Sequence, residues 1–502
     1  MIKKEQNLKI ALCSSEAIPF AKTGGLADVV GTLPYSFKNN KIDPIVIMPG
    51  YGFIFKKYPD AQKILENFKI KINNNYFEYF DVYKINNNSV DFYFIKNDKF
   101  FDRDYLYGTP QGDYEDNNLR FGFLSKAILA TLENINFCPD IIHLHDYHVA
   151  LTAVFINKEK EEKRNSFFKN THIVFTIHNL AYQGIYDKST LDLLDLDNSY
   201  FSIDKLEFYG KINFMKGGIV FSDKITTVSP TYSKEILTAE FGYGLDGILR
   251  VRQKDLIGII NGIDYEIWNP QNDKFIFANY DIKNLDGKRL CKNNLLNNLF
   301  NDNKNNKTQI DYSAPALGIV SRLSEQKGID ILIDGFDLLM QKNIYLIILG
   351  TGDEKYMQQL NSLYKKYKNK FSLNIAFSDK LAREIYAGCD MFLMPSKYEP
   401  CGLGQLISLK YGTIPIVRNT GGLADTIKDI KSTNDVDNGA QGFKFDEYSS
   451  EALINAINNA LNFYSDKNLW QKIIKNAMSC DYSWDYSAKK YKEIFLELVN
   501  KS

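Results

Sequence analysis

The chain has 502 residues, carries 61 Lys+Arg against 61 Asp+Glu, and is 44% hydrophobic and 24% charged. Balanced charge excludes nucleic acid or an anionic membrane as a partner held by bulk electrostatics, and no apolar stretch approaches the roughly 18 residues of a membrane span. The length exceeds one ordinary core and suits two domains of about 200–250 residues.

The N-terminus, Met1–Lys9, is too short and polar for a signal peptide, and a first strand is expected at Leu8–Ser14. The hexapeptide Thr23-Gly-Gly-Leu-Ala-Asp28 follows it and recurs at Thr420–Asp425. A Gly-Gly pair without Cβ atoms lets backbone approach a ligand, and the next helix start offers N–H groups and a dipole to a phosphate. One such loop is commonly a plain turn; two identical copies predict two similar α/β domains, each with a helix N-terminus on a shared cleft.

Further strands are expected at Pro44–Met48, Asp140–Leu144, Ile173–Ile177, Lys224–Val228 and Leu256–Ile260, with helices such as Asn117–Leu132 and Pro230–Glu240 between them. Continuous apolar runs alternating with helices indicate a parallel sheet covered on both faces. Tyr/Phe-rich alternation from Phe68 to Ile95, around Asn74-Asn75 and Asn87-Asn88, reads as an antiparallel hairpin inserted on the first domain near 68–96. The charged run Lys158–Arg164 reads as a solvated turn, and Lys292–Lys307 as a surface loop or exposed helix pair. Strand signals resume at Ala316–Val320, Tyr345–Leu349, Leu373–Phe377, Met391–Pro395 and Ile414–Val417. The expected domains are 1–265 and 266–484, with an amphipathic helix over 485–502 crossing back to the first.

Ser321–Gly328 directly follows the first strand of the second domain. Ligands of open α/β sheets bind beyond the carboxyl ends of strands. Arg322 and Lys327 are therefore placed to meet a diphosphate, Arg as a fork and Lys as a compact charge, although two surface cations on a loop would look alike. Pro395–Gly404 follows another strand; two prolines and two glycines fix a tight loop from which Glu399 projects. A carboxylate there suits sugar recognition or charge stabilisation, the plainer alternative being a helix cap.

All five histidines lie between 143 and 178. His143 and His145 share one face of a strand and could meet a metal only at its end, with no second carboxylate cluster in view. Packed or hydrogen-bonded rings are the expected reading. The six cysteines, Cys13, Cys138, Cys291, Cys389, Cys401 and Cys480, include no Cys-x-x-Cys pair and read as reduced thiols of a cytoplasmic protein.

Through nearly its whole length the chain resembles the bacterial-type glycogen/starch synthases. The matching residues include Lys22–Leu26, Asp102-Arg103, His143-Leu-His-Asp146, His178-Asn179, Thr227–Pro230, Asn261–Asp264, Trp268–Pro270, Ser321–Leu323, Gln326–Gly328, Glu399–Leu403 and Thr420–Leu423. The resemblance implies the GT-B architecture, two Rossmann-like doubly wound parallel-sheet domains facing a cleft. It implies retaining transfer of glucose from ADP-glucose to the non-reducing 4-hydroxyl of an α-1,4-glucan. On that resemblance Arg322 and Lys327 hold the diphosphate, and Glu399 meets the glucose hydroxyls. Cys401, Gly402 and Leu403 line that pocket, Lys22, Gly24 and Gly25 close from the first domain, and Phe377 stacks on the base. Asp28, Asp146, His178, Asn179 and Asn261 lie around the transferring sugar or acceptor, and Tyr107 marks the sugar site.

Two positions depart from the pattern: Ala376-Phe377 replaces the usual Gly-Tyr, keeping a stacking face without its hydroxyl, and Gly404 stands where many members have Thr. No Asp-x-Asp motif follows a suitable strand, so cations and helix dipoles are expected to take the metal's role, with no cofactor. The rivals are a UDP-glucose transferase of the same architecture and a glucan-binding protein with a dead site. The oligomeric state is not encoded in any of these signals.

Overall fold

The computed structural model describes residues 7–109, 111–162, 167–301 and 310–501. It divides into two compact units, Met1–Gly262 with Trp484–Ser502, and Ile263–Ser483. The divisions fall three residues before the expected 265 and one before 484.

The first unit is built on a nine-stranded sheet. In chain order its strands are β1 (Leu8–Cys13), β2 (Ile42–Pro49), β3 (Gln62–Asn73), β4 (Tyr76–Asn87), β5 (Val90–Lys96), β6 (Ile141–His145), β7 (His172–Ile177), β8 (Lys224–Thr227) and β9 (Leu256–Gly258). Their spatial order is β9-β8-β7-β6-β1-β2-β5-β4-β3. Every pairing from β9 to β5 is parallel, whereas β4 is antiparallel to β5 and to β3. The chain leaves β1 toward β2 and later returns to its other side at β6, so the topological switch point lies between β1 and β6.

The antiparallel hairpin expected near 68–96 is present, β3 and β4 pairing around Asn74-Asn75, but it continues the main sheet and is not an insertion on it. β5 pairs in parallel with β2, so these strands extend the main sheet, and β3 starts at Gln62. The turn into β5 is Asn88-Ser89, both with positive φ (45° and 69°), the two-residue geometry that suits the right-handed twist of a hairpin. The helix expected over Pro230–Glu240 ends at Glu235. The run at Lys158 is not a free turn: Leu151–Glu161 is helical, and the Lys160 ammonium donates to the Thr171 carbonyl at 2.8 Å. Lys163 and Arg164 lie outside the described residues.

The second unit carries β10 (Ala316–Val320), β11 (Tyr345–Leu349), β12 (Phe371–Asn374), β13 (Met391–Met394), β14 (Ile414–Arg418) and β15 (Phe443–Phe445), ordered β12-β11-β10-β13-β14-β15. All pairings are parallel, and the switch point lies between β10 and β13. Alternate residues feed cores on opposite faces. Leu317, Ile319, Leu346 and Ile348 enter one; Ala316, Ile347, Leu349 and Phe392 enter the other. This double burial explains the continuous apolar runs in the sequence. The strand expected to reach Phe377 stops at Asn374, and β15 carries too short a run to announce itself. The stretch from Lys292 begins inside the helix Asp286–Phe300, where Lys292 is buried on Asp390 at 2.8 Å; residues 302–309 are outside the described set.

The last helix, Trp484–Asn500, belongs to the first unit. Tyr491 and Phe495 pack on Phe37 with ring centroids 6.0 and 5.6 Å apart, and Lys492 donates to the Asn40 carbonyl at 2.8 Å.

Candidate active site

At the first switch point β1 runs out into Ser14-Ser15-Glu16. Glu16 is buried, and its carboxylate organises the glycine loop: it accepts from the Thr23 amide, from Thr23 Oγ1 at 2.6 Å and from the Gly24 amide at 3.3 Å. The Tyr107 hydroxyl donates to the same carboxylate at 2.5 Å and lies 2.8 Å from Ser15 Oγ, while its ring stacks on His148 at 4.5 Å. Burial, and then the Glu16 charge, push the Tyr107 phenol well above its usual range. Beyond the loop, Gly25–Asn39 forms a 15-residue helix whose first turn holds Asp28, ion-paired with Lys22 at 2.7 Å. Thr23, Gly24 and Gly25 are exposed, and a Cβ on Gly24 would meet nothing within 4 Å. Glu16 was not singled out from sequence; its position just past a strand end at the switch point is the signal that could have found it.

β6 leads into Asp146, whose φ of 61° and ψ of 177° occupy a region almost reserved for glycine. The strain is held on both sides. The Asp146 amide donates to the Thr176 carbonyl at 3.0 Å, and its carboxylate accepts from the His178 amide at 2.8 Å. Burial raises the Asp146 carboxyl to about 7; the amides of His178 and Asn179 oppose this and the Glu16 charge adds to it. His145 Nδ1 lies 2.9 Å from His178 Nε2, and His143 Nε2 lies 2.6 Å from Thr176 Oγ1. Burial lowers His143, His148 and His178 to about 3, so these rings are neutral. Among the described residues no three His, Cys, Asp or Glu side chains converge as a metal set. Asn179 caps its own turn by accepting from the Ala181 amide at 3.1 Å. Asn261, past β9, is buried with its Oδ1 unpartnered.

At the second switch point β10 leads into Ser321–Gly328 and β13 into Pro395–Gly404. Lys327 Nζ and Ser396 Oγ both bond Glu399 Oε2, at 2.6 and 3.0 Å, and the carboxylate is almost fully enclosed. Its second oxygen has no partner among the described residues and is not sealed off. The Lys397 amide donates to the Gln326 carbonyl at 2.9 Å, joining the two loops. Arg322 is exposed beside Gln326, its guanidinium 3.3 Å from Gln326 Oε1. Cys401 is buried; its carbonyl and that of Gly402 accept from Gln405 Nε2 at 2.9 and 3.0 Å, and Leu403 precedes the helix Gly404–Lys410. Phe377 follows β12 and is 89% exposed.

The second hexapeptide differs from expectation. Thr420, Gly421 and Gly422 are buried, and the following helix is only six residues long, Gly421–Thr426. The Gly422 amide donates to the Glu399 carbonyl at 3.1 Å. Gly421 has φ +44°, and a Cβ there would lie 1.9 Å from the same carbonyl oxygen. This pair buttresses the Glu399 loop by backbone packing.

Thus Lys22, Gly24, Gly25, Asp28, Tyr107, Asp146, His178, Asn179 and Asn261 lie in the first unit, and Arg322, Lys327, Phe377, Glu399, Cys401, Gly402 and Leu403 in the second.

The family described as the starch synthase catalytic domain matches residues 9–251, and the group 1 glycosyl transferases match 300–479. The glycogen synthase of Geotalea uraniireducens is 44% identical over 499 residues, covering 98% of this chain and all of the relative. That of Thermotoga maritima is 41% identical, covering 98% and 99%. The catalytic domain of starch synthase IV from Arabidopsis thaliana, solved with ADP and acarbose, superposes with a TM-score of 0.87 at 30% identity, covering 98% and 99%. A sucrose-phosphate synthase from Thermosynechococcus elongatus shares the fold at 14% identity with a TM-score of 0.59. With two α/β units of this topology and full-length identity above 40%, the chain belongs to the glycogen/starch synthase family of GT-B glycosyltransferases.

Proposed function

We propose that the chain extends α-1,4-glucan by retaining transfer of glucose from ADP-glucose to the non-reducing end. The observation that carries this is the Lys327–Glu399 pair at the second switch point, with Arg322 beyond the same strand end. Family membership supports glucan extension, and the ADP and acarbose bound to the Arabidopsis relative support the donor and acceptor classes.

The residues divide the charge that develops as the glycosidic bond to phosphate breaks. Arg322 and Lys327 face the departing diphosphate, and the free oxygen of Glu399 is available to a sugar hydroxyl while its charge opposes the cationic sugar. Phe377 offers a stacking face to the base. Lys22, Asp28, Asp146, His178 and Asn261 serve the transferring sugar or acceptor.

We also propose that transfer requires no metal, because two cations address the diphosphate. Turnover in EDTA tests this; complete loss restored by one divalent ion would overturn it. Donor choice is tested by ADP-glucose against UDP-glucose, each with and without glycogen. Glucan-dependent release of ADP is the expected result, and preference for UDP-glucose or no turnover would replace the reading by one of its rivals. No helix among the described residues is long and apolar enough to cross a membrane, and the six cysteines are free.

A further inference from the structure

His178 is gripped twice by the dipeptide at the end of β6. Asp146 accepts from its backbone amide, and His145 bonds its ring through Nδ1···Nε2 at 2.9 Å. Both imidazoles are neutral, so one ring must donate that proton to the other, and the choice fixes which atom His178 has left.

The surroundings decide between the two arrangements. His145 is fully buried, and its Nε2 has no hydrogen-bond partner among the described residues. A proton on that atom would make it a sealed donor without an acceptor; a bare lone pair is the lesser defect. The neighbouring His143, its ring centroid 4.1 Å from that of His145, poses the same question and gives the same answer. Its Nδ1 is buried without a partner, while its Nε2 meets Thr176 Oγ1 at 2.6 Å, which meets Thr226 Oγ1 at 2.6 Å. With the proton on Nε2, His143 donates to Thr176 and Thr176 to Thr226, leaving one consistent direction along the chain. His178 is different: it is only half-buried, and its Nδ1 has no partner among the described residues and is not sealed off.

We infer that His145 is a positioning residue that holds His178 in its Nδ1–H tautomer, so that His178 presents a hydrogen-bond donor, not a base, to an oxygen of the sugar. This deepens the proposed glucosyl transfer and rests on it for the identity of the ligand, but the tautomer itself is independent of it.

The test has two arms on the full chain. The first is 15N–1H correlation of the ring nitrogens in histidine-labelled protein without substrate, with His178 assigned by His178→Asn. The protonated nitrogen of His178 is expected to be Nδ1, and in His145→Leu the proton should move to Nε2. A wild-type His178 protonated on Nε2 overturns the inference even if His145→Leu fails to fold, and leaves the proposed activity standing. The second arm is kinetic. Asn at 145 can place an amide donor near the position of Nδ1, whereas Leu cannot. His145→Asn should keep kcat within about threefold, and His145→Leu should lose about 10- to 100-fold in kcat with little change in ADP affinity. Equal losses in the two variants would make His145 a packing residue only. No glucosyl transfer by wild-type protein would sink the proposed function and not the tautomer.

Discussion

Six identical residues, Thr-Gly-Gly-Leu-Ala-Asp, are used oppositely in the two units. In the first, Gly24 and Gly25 are exposed at the head of a 15-residue helix, with Glu16 holding the loop amides from behind. In the second, Gly421 and Gly422 are buried against the backbone of residues 399–401, and the helix is six residues long. The electrostatics differ in the same sense. The first switch point gathers the carboxylates of Glu16 and Asp146 with neutral histidines, whereas the second pairs its carboxylate with Lys327 and leaves Arg322 exposed. The motif follows the first strand of one sheet and the fifth, β14, of the other, so it repeats only a local strand-to-helix turn, and what lies beneath the glycines decides whether they approach a ligand or a neighbouring loop.

The largest effect is expected where the buried copy supports chemistry. Glu399→Gln keeps the shape of the loop and removes the charge, and kcat should fall roughly 10²–10⁴-fold with ADP affinity nearly unchanged. Lys327→Ala should weaken ADP binding as well as slow transfer, because it removes the proposed phosphate partner and strips Glu399 of its counter-ion. Steady-state kinetics with calorimetric ADP titration separates the two. Near-normal kcat in Glu399→Gln would reduce the residue to a loop cap.

Gly421→Ala breaks the packing itself. Its Cβ would overlap the Glu399 carbonyl in a left-handed conformation, so the 263–483 unit should lose about 2–3 kcal/mol, seen as a lower Tm for that unit's calorimetric transition. Gly24→Ala is the matched control. It meets open space at a φ of −155° and should leave stability within about 0.5 kcal/mol. If the loop does approach the donor, KM should rise roughly threefold to tenfold with Tm unmoved. Equal destabilisation by the two substitutions would erase the contrast between the copies.

Much of this was legible in the residues. The parallel strands were, because burial on both faces writes continuous apolar runs such as Tyr345–Leu349, and loops carrying Arg322, Lys327 and Glu399 follow strand ends. What escaped was set by tertiary context. Parallel pairing of β5 with β2 leaves no mark on an alternating segment, so the sheet's edge reads as an insertion. The sequence of a Gly-Gly pair does not say whether water or a carbonyl lies beyond it. Glu16 carries no motif, and only its hydrogen bonds to Thr23, Gly24 and Tyr107 reveal its part.

A further contrast concerns Asp146, the carboxylate that follows β6 in the first unit. Burial raises Asp146 to about 7 from an ordinary 3.8, so the folded chain holds this proton more tightly than the unfolded chain. Its contribution to stability is therefore complete below about pH 3.8 and is lost as pH rises through about 7. Asp146→Asn cannot ionise, yet its amide oxygen can still accept from the His178 amide, and Asn tolerates positive φ better than most residues. The Tm of the variant relative to wild type should thus climb between pH 4.5 and 8. Any fixed offset between the two proteins is irrelevant; the slope is the readout. A flat difference would mean that Asp146 ionises normally and that the amides of His178 and Asn179 offset its burial in full.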